Sequence, residues 1–430
     1  MNYLRQIIFD LRHHKLMSWL SIVGTSIAIF LIMSDYMINN IDNVSVSPES
    51  NRNRIVYGYG GEIQQTNGSG SSCLSYYLAK ELYEGLDGVE IVSFSSGSPL
   101  KNNISVRNGV PHSGEIRRVD ENYWKIYDFT FEEGEPFSQE DIESGVNNVI
   151  ISHSTAEKFF GKQNSYIGRE IIIDNRPWIV SGVVKDVNPL FDLSYADGYI
   201  SHVASGMPES VWYDYLGDYV PILLLNKGVP LSHIKKQISD RYKLFNIQHK
   251  SQKIELVYHE QPWTLEERHA GYTNAYIDLT SKHRMKLIGY VVLLLIPAIN
   301  LSSMTRSRMR HRVSEIGLRR AFGCTRSRLV FDLLTENLIL TIIGGLIGLL
   351  LSYIFIVVFS NYFVAYGGFF ANSIEMLNAR PTFEMLFAWE SFAAVMLFCL
   401  LLNILSAGIP AIKAAFINPA EAINGQSAHK

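Results

Sequence analysis

The chain has 430 residues, with 38 Lys and Arg against 41 Asp and Glu, a formal net charge of −3, 18% charged residues and 47% apolar residues. That length allows two or three structural units, and the charged fraction lies below the roughly 25% of soluble domains, which fits a protein that is part membrane and part soluble. Residues 16–283 hold 22 basic and 33 acidic side chains, a formal −11, while the rest of the chain is +8, so the soluble part lacks the basic surface that nucleic acid binding requires.

In chain order, a basic amphipathic segment at 1–16, with Arg5, Arg12, His13, His14 and Lys15, precedes the apolar run Met17–Ile38. No small-x-small cleavage site follows Ile32, which points to an uncleaved anchor rather than a removed signal. Spans are expected over 17–38, 285–304, 337–360 and 385–407, the last three built on Leu287–Met304, Leu338–Ser360 and Met385–Ala407. Each is close to the ~20 residues needed to cross hydrocarbon at ~1.5 Å per residue. The loop Arg306–Arg328 carries eight Arg and one acid, Glu315, a formal +7 that marks a cytoplasmic face. The connection 361–384 holds only Arg380 as a base, and the tail 408–430 holds Lys413 and Lys430. These edges predict four transmembrane helices with both termini inside, a cytoplasmic loop at 305–336, and an α/β extracytoplasmic domain of two subdomains at 39–284.

Within 39–284, Arg54–Tyr57 and Val89–Phe94 read as strands around a helix that places Leu74, Leu78 and Leu82 on one stripe. The pattern returns as strand Val220–Leu225, a helix from Ser232 with Ile234, Ile238 and Tyr242 on one face, and strand Ile254–Tyr258. Ser232 after Pro230 is the expected N-cap. The two strand–helix–strand units, about 54–108 and 218–260, can share one sheet. Between them a strand-rich insert, about 110–200, contains a hairpin signal at Asp174-Asn175, whereas Asn67–Ser72 reads as a flexible loop. Cys73 is the lone cysteine of this region, so the domain must hold together by its core.

The phrases VDENYWKIYDFTFEEGEPFSQED, VIISHSTAEKFFGK and SYIGREIIIDNRPWIVSGVVKD, then EIGLRRAFGCTRSRLVFDLLTENLIL, then IPAIKAAFINPAEAI, follow one another along the chain. In that order, and with one span before the large domain and three after, the chain resembles the permeases of the MacB/FtsX superfamily of ABC transporters. The N-terminal FDLRHHKLMSWLSIVG adds a further match. The resemblance implies a subunit without its own motor. A coupling helix at about Ser314–Phe322 would dock on a separate cytoplasmic ABC ATPase, with Ser314, Glu315, Ile316, Gly317, Leu318, Arg319, Arg320 and Phe322 as its residues. It further implies a dimer with a second permease copy or paralogue, an inner-membrane location in contact with lipid, and a periplasmic adaptor or outer-membrane exit protein as partner. The implied cargo is a peptide, drug or lipid-linked molecule; the alternative is an FtsX-like signal that activates a periplasmic partner such as a cell-wall hydrolase.

The chain has no GxxxxGK[ST] phosphate cradle, so the resemblance places ATP and Mg on the partner ATPase and no cofactor on this chain. Gly344 and Gly348 form a small-xxx-small pair with Gly345 adjacent, a pattern that lets helices pack closely. Pro297 and Asn300 fall in the second span, where Asn300 is expected to hydrogen-bond a neighbouring helix, and Glu336 stands at the inner edge of the third. His259, Glu260, Glu266 and His269 are close in sequence but match no metal-ligand spacing, and no GxSxG elbow occurs, so neither metal nor catalytic residues are assigned. Tyr123, Trp124 and Trp178 read as core.

Overall fold

A computed structural model describes residues 15–41, 44–58, 60–65, 68–97, 100–204, 215–270, 279–293, 321–366 and 380–386, together with single residues and short pieces near 295, 318 and 389–412. It divides into one compact unit of Met1–Asn40, Asp278–Phe359 and Thr382–Lys430 and a second of Ile41–Ile277 and Ser360–Pro381.

In the first unit, helix α1 spans Lys15–Ile41 and contains the apolar run Trp19–Ile41, with a mean hydropathy of 1.7. Among the described residues, the other helix long and apolar enough to cross a membrane contains Leu338–Ser360, with a mean hydropathy of 2.7. Residues 279–293, 383–386 and 392–397 are also helical. The rest of the expected second and fourth spans lies outside the described residues.

The second unit is built on two sheets. The first contains β1 (Ile55–Tyr57), β2 (Gly61–Gln65), β3 (Gly68–Leu74), β4 (Val89–Ser96), β12 (Leu216–Gly217), β13 (Tyr219–Leu225) and β14 (Ile254–Val257). Its axis is β13, which pairs antiparallel with β1 and, along its length, with β4. All seven residues of β13 are buried because both faces are covered. Tyr219, Leu223 and Leu225 pack with Leu78 and Leu82 of α2 (Tyr76–Tyr83) and with helix Leu231–Gln248. Val220, Ile222 and Leu224 face the aromatic cluster of Tyr123, Trp124, Tyr127 and Tyr199. β1 and β4 on either side of α2, and β13 and β14 on either side of helix Leu231–Gln248, thus all lie in one sheet.

Three local features differ from the sequence reading. Gly68–Ser72, expected within a flexible loop at Asn67–Ser72, belong to strand β3, which pairs with β2 from Gly61↔Ser72 to Gln65↔Gly68. The helix expected from Ser232 begins at Leu231 with Pro230 in the cap position and no side-chain cap, since proline's missing N–H costs nothing where a helix start leaves donors unpaired. Leu74, expected on the helix stripe with Leu78 and Leu82, instead ends β3, and α2 starts after it with Ser75 as its cap, accepting from the Leu78 amide at 3.3 Å.

The second sheet contains β5 (Leu100–Ser105), β6 (His112–Val119), β7 (Phe131–Gly134), β8 (Asn148–Ser152), β9 (Glu170–Ile173), β10 (Arg176–Val184) and β11 (Gly198–Ser201). Its order β7-β10-β8-β11-β6-β5-β9 closes on itself because β9 also pairs with β10. The nine residues of β10 make this closure: Arg176–Ile179 pair with β9, and Gly182–Val184 pair with β7 on the same edge. Ile104, Ile151, Ile171, Trp178 and Val180 fill the interior. The sheet starts at Leu100, so β5 belongs here rather than to the unit read as ending near 108. At Asp174-Asn175 both φ angles are positive, 45° and 65°, the geometry of the tight hairpin that this dipeptide favours. Tyr123, Trp124 and Trp178 are all buried. Two short helices, α3 (Tyr123–Ile126) and α4 (Gln139–Ser144, with a Ser138/Asp141 capping box), add Tyr123, Trp124, Ile126 and Ile142 to the aromatic cluster, and helix His153–Phe160 packs on β8 and β10 of the closed sheet.

Candidate functional site

Of the expected docking residues, Leu318 and Phe322 are described; Ser314, Glu315, Ile316, Gly317, Arg319 and Arg320 lie outside the described residues. Phe322 donates its amide to the Leu318 carbonyl at 3.1 Å, closing a helical turn, and Gly323 follows at φ +91°, a left-handed stop that glycine adopts without strain. The apolar side chains of this turn are unshielded within this chain: Leu318 is 52% exposed and Phe322 84% exposed. Such apolar exposure beside a strongly basic loop suits a surface covered by a partner.

Thr325 restarts the helix. Its Oγ1 accepts from the Arg328 amide at 3.4 Å and its carbonyl from the Leu329 amide at 3.2 Å. The helix then runs unbroken over Arg326–Tyr366, 41 residues, or about 60 Å at 1.5 Å per residue. The apolar run Leu338–Ser360 is its middle, so about three turns precede that run and follow the Gly323 stop. Glu336 lies in this preceding part, and Phe331, which the sequence reading did not single out, is 66% exposed on it.

The long helix packs against α1 through its small residues. A Cβ on Gly344 would stand 3.0 Å from the Ile22 carbonyl oxygen, and one on Gly348 would stand 2.6 Å from the Ser26 carbonyl oxygen. Hydroxyls line the same seam, each within reach of a carbonyl on both helices: Ser26 Oγ lies 2.9 Å from the Gly344 and 2.7 Å from the Ile22 carbonyl, and Ser352 Oγ lies 3.0 Å from the Phe30 and 2.8 Å from the Gly348 carbonyl. Phe30 and Phe355 meet edge to face at 5.2 Å. Removing Cβ atoms lets the backbones approach, and dispersion plus interhelical hydrogen bonds then hold the pair in lipid. The contact is within one chain. Asn300 and Pro297 lie outside the described residues. Ser26 and Ser352 were missed because a lone serine in an apolar run carries no pattern of its own. A polar cluster also joins α1 to helix 279–293: Lys286 Nζ is 3.4 Å from Asp35, and the Tyr290 hydroxyl donates to the same carboxylate.

In the second unit, the residue that closes α1 is gripped from inside the domain. Arg52 Nη1 donates to the Ile41 carbonyl at 2.5 Å, and Arg52 Nε contacts Glu49 Oε2 at 2.7 Å. Ser194 Oγ donates to the other Glu49 oxygen at 2.6 Å, and the guanidinium lies 4.5 Å from the Phe191 ring centre. Glu49 and Arg52 are 1% and 6% exposed. A buried pair saturated in this way fixes geometry, because removing either partner strands a charge in a low-dielectric interior. Nothing in the sequence spacing marked this anchor, since Ser194 is distant in the chain. His259 is paired with Glu62 at 3.1 Å, and no metal-competent group of three His, Cys, Asp or Glu occurs among the described residues.

The described residues combine apolar helices packed on small residues, the exposed Leu318 and Phe322, and a large two-sheet α/β domain. The MacB-like periplasmic core domain model matches residues 18–239 and the FtsX-like permease C-terminal model matches 287–419, so the chain belongs to the MacB/FtsX-like family of ABC transporter permeases. Among its relatives is the uncharacterized ABC transporter permease YknZ of Bacillus subtilis, 24% identical over 79% of this chain and 76% of that protein. The pyoverdine export ATP-binding/permease protein PvdT of Pseudomonas syringae is 25% identical over 57% of this chain, which spans only 36% of that relative's length. The macrolide export ATP-binding/permease protein MacB of Hahella chejuensis is 23% identical, with 72% of this chain and 42% of that protein covered. The crystal structure of the periplasmic region of MacB from Actinobacillus actinomycetemcomitans covers 52% of this chain and 95% of its own, at 15% identity and a TM-score of 0.35.

Proposed function

We propose that this chain is the permease subunit of an ABC transporter in which a separate cytoplasmic ATPase drives movement of the extracytoplasmic domain. The cargo would be a peptide, drug or lipid-linked molecule that is expelled or extracted from outside the membrane. In this reading the chain crosses the membrane four times with both termini inside and works beside a second permease copy. A periplasmic adaptor or outer-membrane exit protein would receive the cargo.

One observation carries the reading: helix Arg326–Tyr366 starts shortly beyond the Leu318–Phe322 turn, just past the Gly323 stop, and runs without a break through the packed span. A push on the exposed Leu318–Phe322 turn would therefore move the Gly344–Ser352 seam and, through it, α1. Because α1 ends at the residue held by Arg52, the movement would be delivered to the domain core.

The test is deletion of Ser314–Phe322 in the assembled complex, with transport and partner ATPase activity both measured. Loss of partner-stimulated transport while the chain still folds and inserts supports the reading; unchanged coupling would sink it. Crosslinking the intact envelope separates export from signalling, since capture of an exit protein favours export and capture of a cell-wall hydrolase favours signalling.

A further inference from the structure

Beside β4 of the first sheet lies a cleft of about 690 Å³, within the range of small-molecule sites. One wall comes from α2 and β4, the other from the segment around α3 and from α4. Its aromatic surface is ordered: Tyr76 stacks on His202 at 4.8 Å and 25°, and meets Phe94 edge to face at 5.6 Å. Its charge is one-sided, with five carboxylates and two lysines in the lining, although Glu90 is met from outside the lining by Arg54 at 2.9 Å. Both lysines are already matched, Lys80 to Glu84 at 3.7 Å and Lys125 to Glu121 at 3.2 Å. Glu143 accepts from Gln139 at 2.7 Å and faces no cation within the lining, and Asp120 receives only neutral donors, from Ser93, Phe94 and Tyr123. A concave site with surplus negative charge concentrates cations, and aromatic faces stabilise both a cation and an apolar ring.

We propose that this cleft binds a cationic amphiphile, a molecule with an ammonium or iminium centre on an aromatic or aliphatic body. The Tyr76–His202–Phe94 wall takes the apolar body, and the Glu143 and Asp120 side of the cleft takes the charge. Because one wall comes from the first sheet and its helix and the other from the helices that join strands of the second sheet, one bound molecule touches both subdomains. Calling such a molecule cargo rests on the export reading above; the binding itself does not.

Rhodamine 6G, a planar aromatic cation, is the probe, and fluorescein is the anionic control of similar shape. Binding is read by fluorescence anisotropy on the full chain in phosphatidylcholine nanodiscs, with empty discs subtracted to remove partition into lipid. Saturable binding of the cation and none of the anion is expected. Glu143→Lys should weaken binding tenfold or more, and Lys125→Glu should tighten it severalfold. Both side chains are exposed, so the thermal midpoint of each variant should stay at that of the parent. Equal uptake of cation and anion, no saturable component, or both variants within twofold of the parent would overturn the assignment. No ATPase is present in this assay, so its failure leaves the coupling reading standing, and a failed coupling experiment leaves the binding result standing.

Discussion

Arg52 donates to the carbonyl of Ile41 at 2.5 Å while its Nε holds Glu49 at 2.7 Å, so one buried guanidinium ties the end of α1 to the domain interior. Arg52→Ala would leave the Glu49 carboxylate buried with only the Ser194 hydroxyl, and should destabilise the domain by about 3–5 kcal/mol. The double variant Glu49→Gln/Arg52→Met removes both charges and should recover much of that loss. Thermal unfolding of the two variants in detergent checks this; an Arg52→Ala midpoint equal to the parent's would show that the pair is not an anchor.

The seam between α1 and the long helix predicts an inversion of the usual helix rule. Glycine to alanine ordinarily favours a helix by about 1 kcal/mol. At Gly348 the new methyl would meet the fixed Ser26 carbonyl oxygen at 2.6 Å, whereas at Gly345 its nearest neighbour is the flexible tip of Met396 at 2.2 Å. Gly348→Ala should therefore lose about 1–3 kcal/mol through overpacking, while Gly345→Ala stays near neutral. Equal midpoints for the two variants would contradict backbone contact at Gly348.

Why some of this was legible in the sequence and some was not follows from the range of each interaction. The Gly344/Gly348 pair and the Asp174-Asn175 turn are local patterns whose geometry is set within a few residues, and both could be read. Strand β3 could not, because its run of glycine and serine has no apolar alternation and is held by main-chain pairing to β2. The closed second sheet depends on β10 serving two partners on one edge, a choice made by residues distant in sequence. The Glu49–Arg52–Ser194 anchor and the cleft are likewise products of long-range assembly. Of the candidate docking residues, Leu318 and Phe322 stand exposed on a closed turn, a property that charge and helix pattern alone do not determine.

That turn separates folding from coupling. Phe322 is 84% exposed, so Phe322→Ala removes little buried surface and should shift stability by less than about 0.5 kcal/mol. If Phe322 is covered by the ATPase, the same change should lower partner-stimulated ATP hydrolysis several-fold at subsaturating partner, with recovery as the partner is titrated. The paired measurement is the thermal midpoint of the chain alone and ATPase activity against partner concentration. An unchanged titration curve would remove Phe322 from the docking surface.

Asp120 supplies a pH signature. Burial, partly offset by hydrogen bonds from Ser93 Oγ and the Phe94 and Tyr123 amides, pushes its carboxyl up from 3.8 to about 6. Since the folded state holds the proton more tightly than the unfolded chain, the stability due to protonation is fully present below pH 3.8 and is lost as pH rises through about 6. The difference corresponds to about 3 kcal/mol. Asp120→Asn cannot ionise there, so its stability relative to the parent should rise by about that amount between pH 4 and pH 7, whatever constant cost the lost amide contact adds. Chemical denaturation of both proteins across that interval measures the change. A constant offset at all pH values would mean that Asp120 ionises as an ordinary solvated carboxylate, and that its three donors outweigh its burial.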